Sequence, residues 1–161
     1  MHKYSAHELV NDFISVAKLA GISILLSEIE IIELHKPRSL PVGKQAIYLF
    51  MYDERCLKVG KVGPKSSARY CSQHYGIKAR STLAKSLIKN QSRLGLSDID
   101  TSNVGEWICQ NTKRINILIP AKYSVALLSL LESFIQCRLN PEFEGFESQR
   151  AYPNILFNTS I

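Results

Sequence analysis

Between Lys122 and Arg138 the sequence carries one formally charged residue, Glu132, set among Leu128, Leu131 and Ile135. A carboxylate beside that much apolar surface is costly unless it is hydrated, ion-paired or bound to a metal. Together with water and phosphate oxygens, a carboxylate forms the usual shell of Mg²⁺ or Mn²⁺. Paired with Lys58 or Arg69, it would be a structural ion pair instead. A second polar set lies in "AIYLFMYDERCLKVGKVG", residues 46 to 63. Two β-rich runs flank the acidic "DER", which reads as a hairpin. Alternation along the first run puts Tyr48, Phe50 and Tyr52 on one face. A three-residue loop pairs Tyr52 with Cys56 and Phe50 with Lys58, bringing the Lys58 ammonium to the Tyr48 face as a diagonal neighbour. A two-residue loop would turn Lys58 away, because a slip of one residue reverses every side chain. We expect the three-residue loop. On composition alone the plainer reading is a core aromatic and a solvated strand lysine.

Downstream, Lys61, Lys65, Lys78, Arg80, Lys85 and Lys89 fall close together. Some of them share helical spacing, so they form either a stripe that follows a phosphate backbone or a solvated helix face. Arg80, Ser81 and Thr82 open a helix whose N-terminus suits a phosphate. The formal net charge of +6 and a pI near 9.2 favour a polyanionic partner, nucleic acid ahead of an anionic membrane. Cys56, Cys71, Cys109 and Cys137 form no CxxC pair, which argues against a zinc knuckle or a disulfide scaffold. Three of them, Cys56, Cys71 and Cys137, lie in apolar runs and read as buried thiols. Trp107 reads as a core anchor. No secretory signal is visible, and Lys18, Glu28 and Glu30 interrupt the apolar stretch 13–32, so a soluble cytoplasmic protein is expected.

The elements that must position these groups follow from periodicity and punctuation. Ser5 and Glu8 have capping-box spacing before a helical pattern over 6–20, which Gly21 stops. Residues 28–34 suggest an edge strand. "HKPRSLPVGK" is a connector into the hairpin. Helices are predicted over 66–75, 80–92 and in "NVGEWICQNT", then a strand in "RINILI", then a helix over 123–139 stopped by Pro141. The order implies an α+β domain with a small antiparallel or mixed sheet of about three strands. An N-terminal helix and strand, residues 1–40, pack onto the main domain, 41–161.

"AIY" at 46–48, "KVG" at 58–60, Arg69, Glu132 and Pro141 together resemble the GIY-YIG nuclease family. The likeness runs over residues 45–145, and "STLAKSLIKN", "VGEWICQNTKRINILI" and "LLESFIQCRLNPEFEGFESQR" look like one prokaryotic branch of it. Ala46 replaces the first glycine of the motif and Lys58 the second tyrosine. The family's His or Tyr, four residues after the arginine, is Gln73 here. His74 comes one residue late, roughly 140° out of line on a continuous helix, with Tyr70 and Tyr75 as other candidates. The asparagine that often follows the proline is also missing, and "PEFEG" offers Glu144 in that region.

The resemblance implies a DNA endonuclease using Mg²⁺ or Mn²⁺ held by Glu132. Arg69 would clamp the scissile phosphate and Tyr48 would take a proton from the attacking water. Lys58 would stabilise charge and His74 would assist, with a 5′-phosphate as product. Lys61, Lys65, Arg80, Lys85 and Lys89 would hold the DNA, duplex or branched. Cleaving both strands would take a homodimer or two successive nicks. The competing readings are a nucleic-acid-binding module of the same fold without cleavage, and a protein-interaction domain with incidental charge.

Overall fold

The computed structural model describes residues 5–143. One four-stranded antiparallel sheet organises the chain, in the order β1 (Glu30–Glu33), β4 (Lys113–Pro120), β2 (Lys44–Tyr52), β3 (Arg55–Val62). The predicted α+β class holds, and the N-terminal strand is the fourth strand, at one edge beside β4. Helices cover both faces. The first face carries α1 (Ala6–Leu19) and α5 (Val125–Leu139) over Ile47, Leu49, Val59, Ile115, Ile117 and Ile119. On the second, α2 (Ser67–Cys71), a 3₁₀ turn (Gln73–Tyr75), α3 (Leu83–Leu94) and α4 (Val104–Asn111) pack over Tyr48, Phe50, Leu57 and Leu118.

Local chemistry explains the element ends. Ser5 Oγ accepts from the Glu8 amide at 3.1 Å while Glu8 accepts from the Ser5 amide at 2.7 Å, closing the α1 capping box. Gly21, at φ +76°, ends α1 with hydrogen bonds from Gly21 to Lys18 and from Ile22 to Ala17, a Schellman pattern. Asn140, left-handed at φ 43°, caps α5 just before Pro141. The chain then turns back, and the amides of Glu142 and Phe143 donate to the carbonyls of Cys56 and Leu57 at 2.9 Å each. This satisfies part of the otherwise open edge of β3 and buries Phe143.

The hairpin differs from the expected one in an instructive way. Its turn has two residues, Asp53 and Glu54, with Tyr52 opposite Arg55 and Met51 opposite Cys56. A bulge then inserts one residue, so Phe50 faces Lys58 and Tyr48 faces Gly60. Cys56 points into the first core and Leu57 into the second. The extra residue at the bulge replaces the one missing from the turn, so Lys58 still lies on the Tyr48 face. Two helices are also corrected. The segment 66–75 is not continuous: α2 stops at Cys71, Ser72 leaves helical geometry at φ −138°, and a 3₁₀ turn follows. The third helix begins at Leu83, because the Thr82 side chain caps it by accepting from the Lys85 amide. Of the cysteines read as buried, Cys56 is, Cys71 is half-buried and Cys137 is exposed. Trp107 is half-buried, its ring 5.3 Å from that of Tyr52. Among the described residues, no helix is long and apolar enough to cross a membrane.

Candidate active site

The site builds on two cross-strand rows of the second sheet face. One row runs Arg114, Phe50, Lys58 across β4, β2 and β3; the next runs Asn116, Tyr48, Gly60. Tyr48 is fully buried, and its ring lies across β3 so that its hydroxyl reaches over Gly60. A Cβ at Gly60 would stand 2.3 Å from the phenol oxygen and 2.6 Å from Cζ. The backbone of Gly60 is in a conformation any residue adopts, so glycine is required there for space alone.

Two side chains converge on that oxygen. Arg69, in the last turn of α2, donates from Nε to Tyr48 Oη at 3.0 Å. His74 Nε2 lies 2.7 Å from the same atom, with the two ring centroids 4.7 Å apart. The break after Cys71 cancels the helical offset expected for His74 and re-aims its ring at the phenol. The tautomer follows from the other ring nitrogen. The Leu83 amide, which can only donate, points at His74 Nδ1 at 3.3 Å. Nδ1 therefore accepts, and Nε2 carries the hydrogen and donates to Tyr48. Burial, reinforced by Lys58, Arg69 and Arg114, pushes the His74 pKa down to about 3, so the imidazole is neutral. Tyr48 oxygen thus accepts from two donors, and its own hydrogen is left for a third partner.

Burial holds the Tyr48 hydroxyl above the ordinary phenol range, with Arg69 and Arg114 pulling in the opposite direction. Lys58 is buried on the same face, and its Nζ donates to Ser81 Oγ at 3.3 Å. Arg69 is exposed, and its terminal NH₂ groups make no hydrogen bond to a described residue. Tyr70 and Tyr75, the alternatives to His74, are both buried away from the phenol oxygen: Tyr75 bonds His35, Lys36 and Arg114, and the Tyr70 ring packs on Arg114.

Glu132 sits on α5, on the other side of β3, within electrostatic reach of both Tyr48 and Arg69. Its partner is Lys61, not Lys58 or Arg69: Lys61 Nζ is 2.8 Å from Glu132 Oε2 and donates to Ser129 Oγ at 3.0 Å. Lys61 pairs with Ile47 in the sheet and so points to the face opposite Lys58. Glu132 Oε1 accepts no hydrogen bond from a described residue. Among the described residues, no group of three or more His, Cys, Asp or Glu is placed to hold a metal ion.

Lys65, Lys78, Arg80, Lys85 and Lys89 are all exposed, with Lys85 and Lys89 one turn apart on the outer side of α3. Thr82 already satisfies one donor at the start of that helix, which leaves fewer for a phosphate. Arg114 and Asn116 are two buried polar residues on this sheet face that sequence reading missed. Their alternation in "KRINILIP" was visible, but it is the helices packed on both sides of the sheet that make both faces of central β4 interior. No family model, curated protein or solved structure matches the chain.

Proposed function

We propose that the chain is a divalent-cation-dependent DNA endonuclease of the GIY-YIG kind. The observation that carries this reading is the convergence of Arg69 and His74 on the Tyr48 oxygen over Gly60, with Glu132 facing the same edge strand. Two donors on a phenol oxygen stabilise the phenolate relative to the phenol. That phenolate takes the proton of an attacking water as the water oxygen bonds to phosphorus. The bond from phosphorus to the 3′-oxygen breaks, and the alkoxide takes a proton from solvent, leaving a 5′-phosphate. The free end of the Arg69 fork suits two phosphate oxygens, and Lys58 adds positive charge behind it.

Glu132 fits a hard cation as a single protein ligand, since one of its oxygens is open. Water and substrate would fill the remaining positions, the habit of Mg²⁺. Such an ion supplies charge to the phosphoryl oxygens and the leaving alkoxide. The exposed lysines of α3, with Lys65 and Arg80, suit the flanking DNA backbone. Cleavage of both strands then takes two nicks or two copies of the chain.

A second reading, a DNA-binding module without cleavage, draws on the pairing of Glu132 with Lys61 and on the burial of Tyr48. Supercoiled plasmid separates the two. Nicking with Mg²⁺ that EDTA abolishes, and that Glu132→Gln lacks, supports the nuclease. Salt-sensitive binding without nicking supports the module.

A further inference from the structure

Arg114 lies on β4, between two strands, and is 1% exposed. Its guanidinium carbon stands 5.3, 5.3 and 5.2 Å from the ring centroids of Tyr48, Phe50 and Tyr70. Nε donates to Asn116 Oδ1 at 2.9 Å, one terminal nitrogen to the Tyr75 hydroxyl at 3.2 Å, and the other to the Tyr70 carbonyl. Among the described residues no carboxylate pairs with it. A guanidinium keeps its charge at any accessible pH, and burying one without a counter-ion opposes folding.

Its neighbours cannot exchange protons with it. His35 Nε2 faces the Thr112 carbonyl at 2.8 Å and so carries the hydrogen, leaving Nδ1 to accept from the Tyr75 hydroxyl at 3.0 Å. The Tyr75 oxygen in turn accepts from the Lys36 amide at 3.1 Å and from Arg114. That hydroxyl is fully engaged, so the network anchors the charge and moves no proton. Of the groups that feel the charge, which include Tyr70, His74 and Tyr75, the one at the centre of the site is Tyr48, whose ring lies against it. Tyr48 also experiences Arg69 from α2, His74 from the 3₁₀ turn and, in the opposite direction, Glu132 from α5, while Lys58 lies on its face from β3. Ionising a phenol spreads negative charge into the ring, and a cation at the ring face then binds more strongly.

We propose that Arg114 is a positioning residue for Tyr48. It places a permanent positive charge against the phenol ring and, through Tyr70 and Tyr75, holds the segment that brings Arg69 and His74 to the phenol oxygen. Its purpose rests on the nuclease reading; its coupling to Tyr48 does not.

Tyrosine ¹³Cζ NMR titration of the full chain, with Tyr48 assigned through Tyr48→Phe, reads that coupling directly. Arg114→Gln and Arg114→Met are expected to raise the Tyr48 midpoint by about one pH unit or more, whereas Arg114→Lys holds it within about half a unit. A folded neutral variant with an unmoved midpoint overturns the proposal. So does an equal shift in the Lys and neutral variants. So does a result in which only the Lys variant folds, since the charge would then serve folding. Nicking by the wild type is measured alongside. The shift without nicking sinks the nuclease reading and leaves the coupling standing; nicking without the shift does the reverse.

Discussion

Gly60→Ala tests the packing on which the site depends, because the sign of its effect is set by one neighbour. In an ordinary strand, alanine is favoured over glycine by about 0.5–1 kcal/mol. At Gly60 the new methyl would stand 2.3 Å from the Tyr48 oxygen, roughly an ångström inside van der Waals contact. The phenol cannot yield freely, since Arg69 at 3.0 Å and His74 at 2.7 Å hold its oxygen. Overpacking costs about 1–3 kcal/mol. Pushing the ring aside would leave the buried His74 N–H unpaired, for about 1–3 kcal/mol more. The expected net loss is about 2–4 kcal/mol, a large share of the ~5–15 kcal/mol typical of a domain. Urea melts with an unchanged m-value would read it.

The control is the same substitution in a Tyr48→Leu background, where the obstructing ring atoms are gone. There, Gly60→Ala is expected to be neutral or stabilising, a coupling of about 2 kcal/mol or more between the two positions. A folded Gly60→Ala protein should also lose about 10²-fold in nicking, from displacement of the phenol by roughly an ångström. Gly60→Ala as stable as wild type, or equally destabilising in both backgrounds, would refute the packing argument.

The remaining predictions concern pH, metal and DNA. His74 has a depressed folded pKa, near 3 against 6.5, so its contribution is complete above pH 6.5 and falls as pH drops and the unfolded state takes up the proton. Between pH 7.5 and 5 the wild type should lose about 2 kcal/mol through this residue, a slope that His74→Gln removes in chemical denaturation; an unchanged slope would show that His74 is not held neutral. Lys61→Met removes the ammonium that competes for Glu132, so Mn²⁺ binding followed by EPR should tighten by up to about fivefold. Weakened binding would mean that Lys61 supports the cation site. Lys85→Ala and Lys89→Ala should each reduce the salt slope of DNA binding by about one, and a slope that does not move would place the DNA elsewhere.

Much of the frame was legible because its signals are local. The α1 capping box, Gly21 and Pro141 mark helix ends by short-range chemistry, and the glutamates of 28–34 rightly suggested an edge strand. The pairing of Phe50 with Lys58 was correct although the turn is one residue shorter than expected, because a bulge restores the count. His74 looked misplaced because a helical wheel was carried past Cys71, and the break lies in the backbone of Ser72 rather than in any residue type that announces it. Glu132 stood out as a lone helical carboxylate, but its partner could not be read. Lys61 reaches it by pointing to the face opposite Lys58. Arg114 was least legible: a polar residue in an alternating strand suggests solvent, and only the helix layers over both sides of the sheet bury the middle of β4 on each face.

The nuclease account rests on Tyr48 serving as the base, so the most direct measurement is the rate of Mg²⁺-supported plasmid nicking against pH for wild type and Tyr48→Phe. A phenol held above its ordinary range predicts a wild-type rate that climbs about tenfold per pH unit from 7 to at least 9, with the Phe variant slower by at least about 10²-fold throughout. A Tyr48→Phe protein that nicks at the wild-type rate, or a wild-type rate that stays flat over this range, would contradict it.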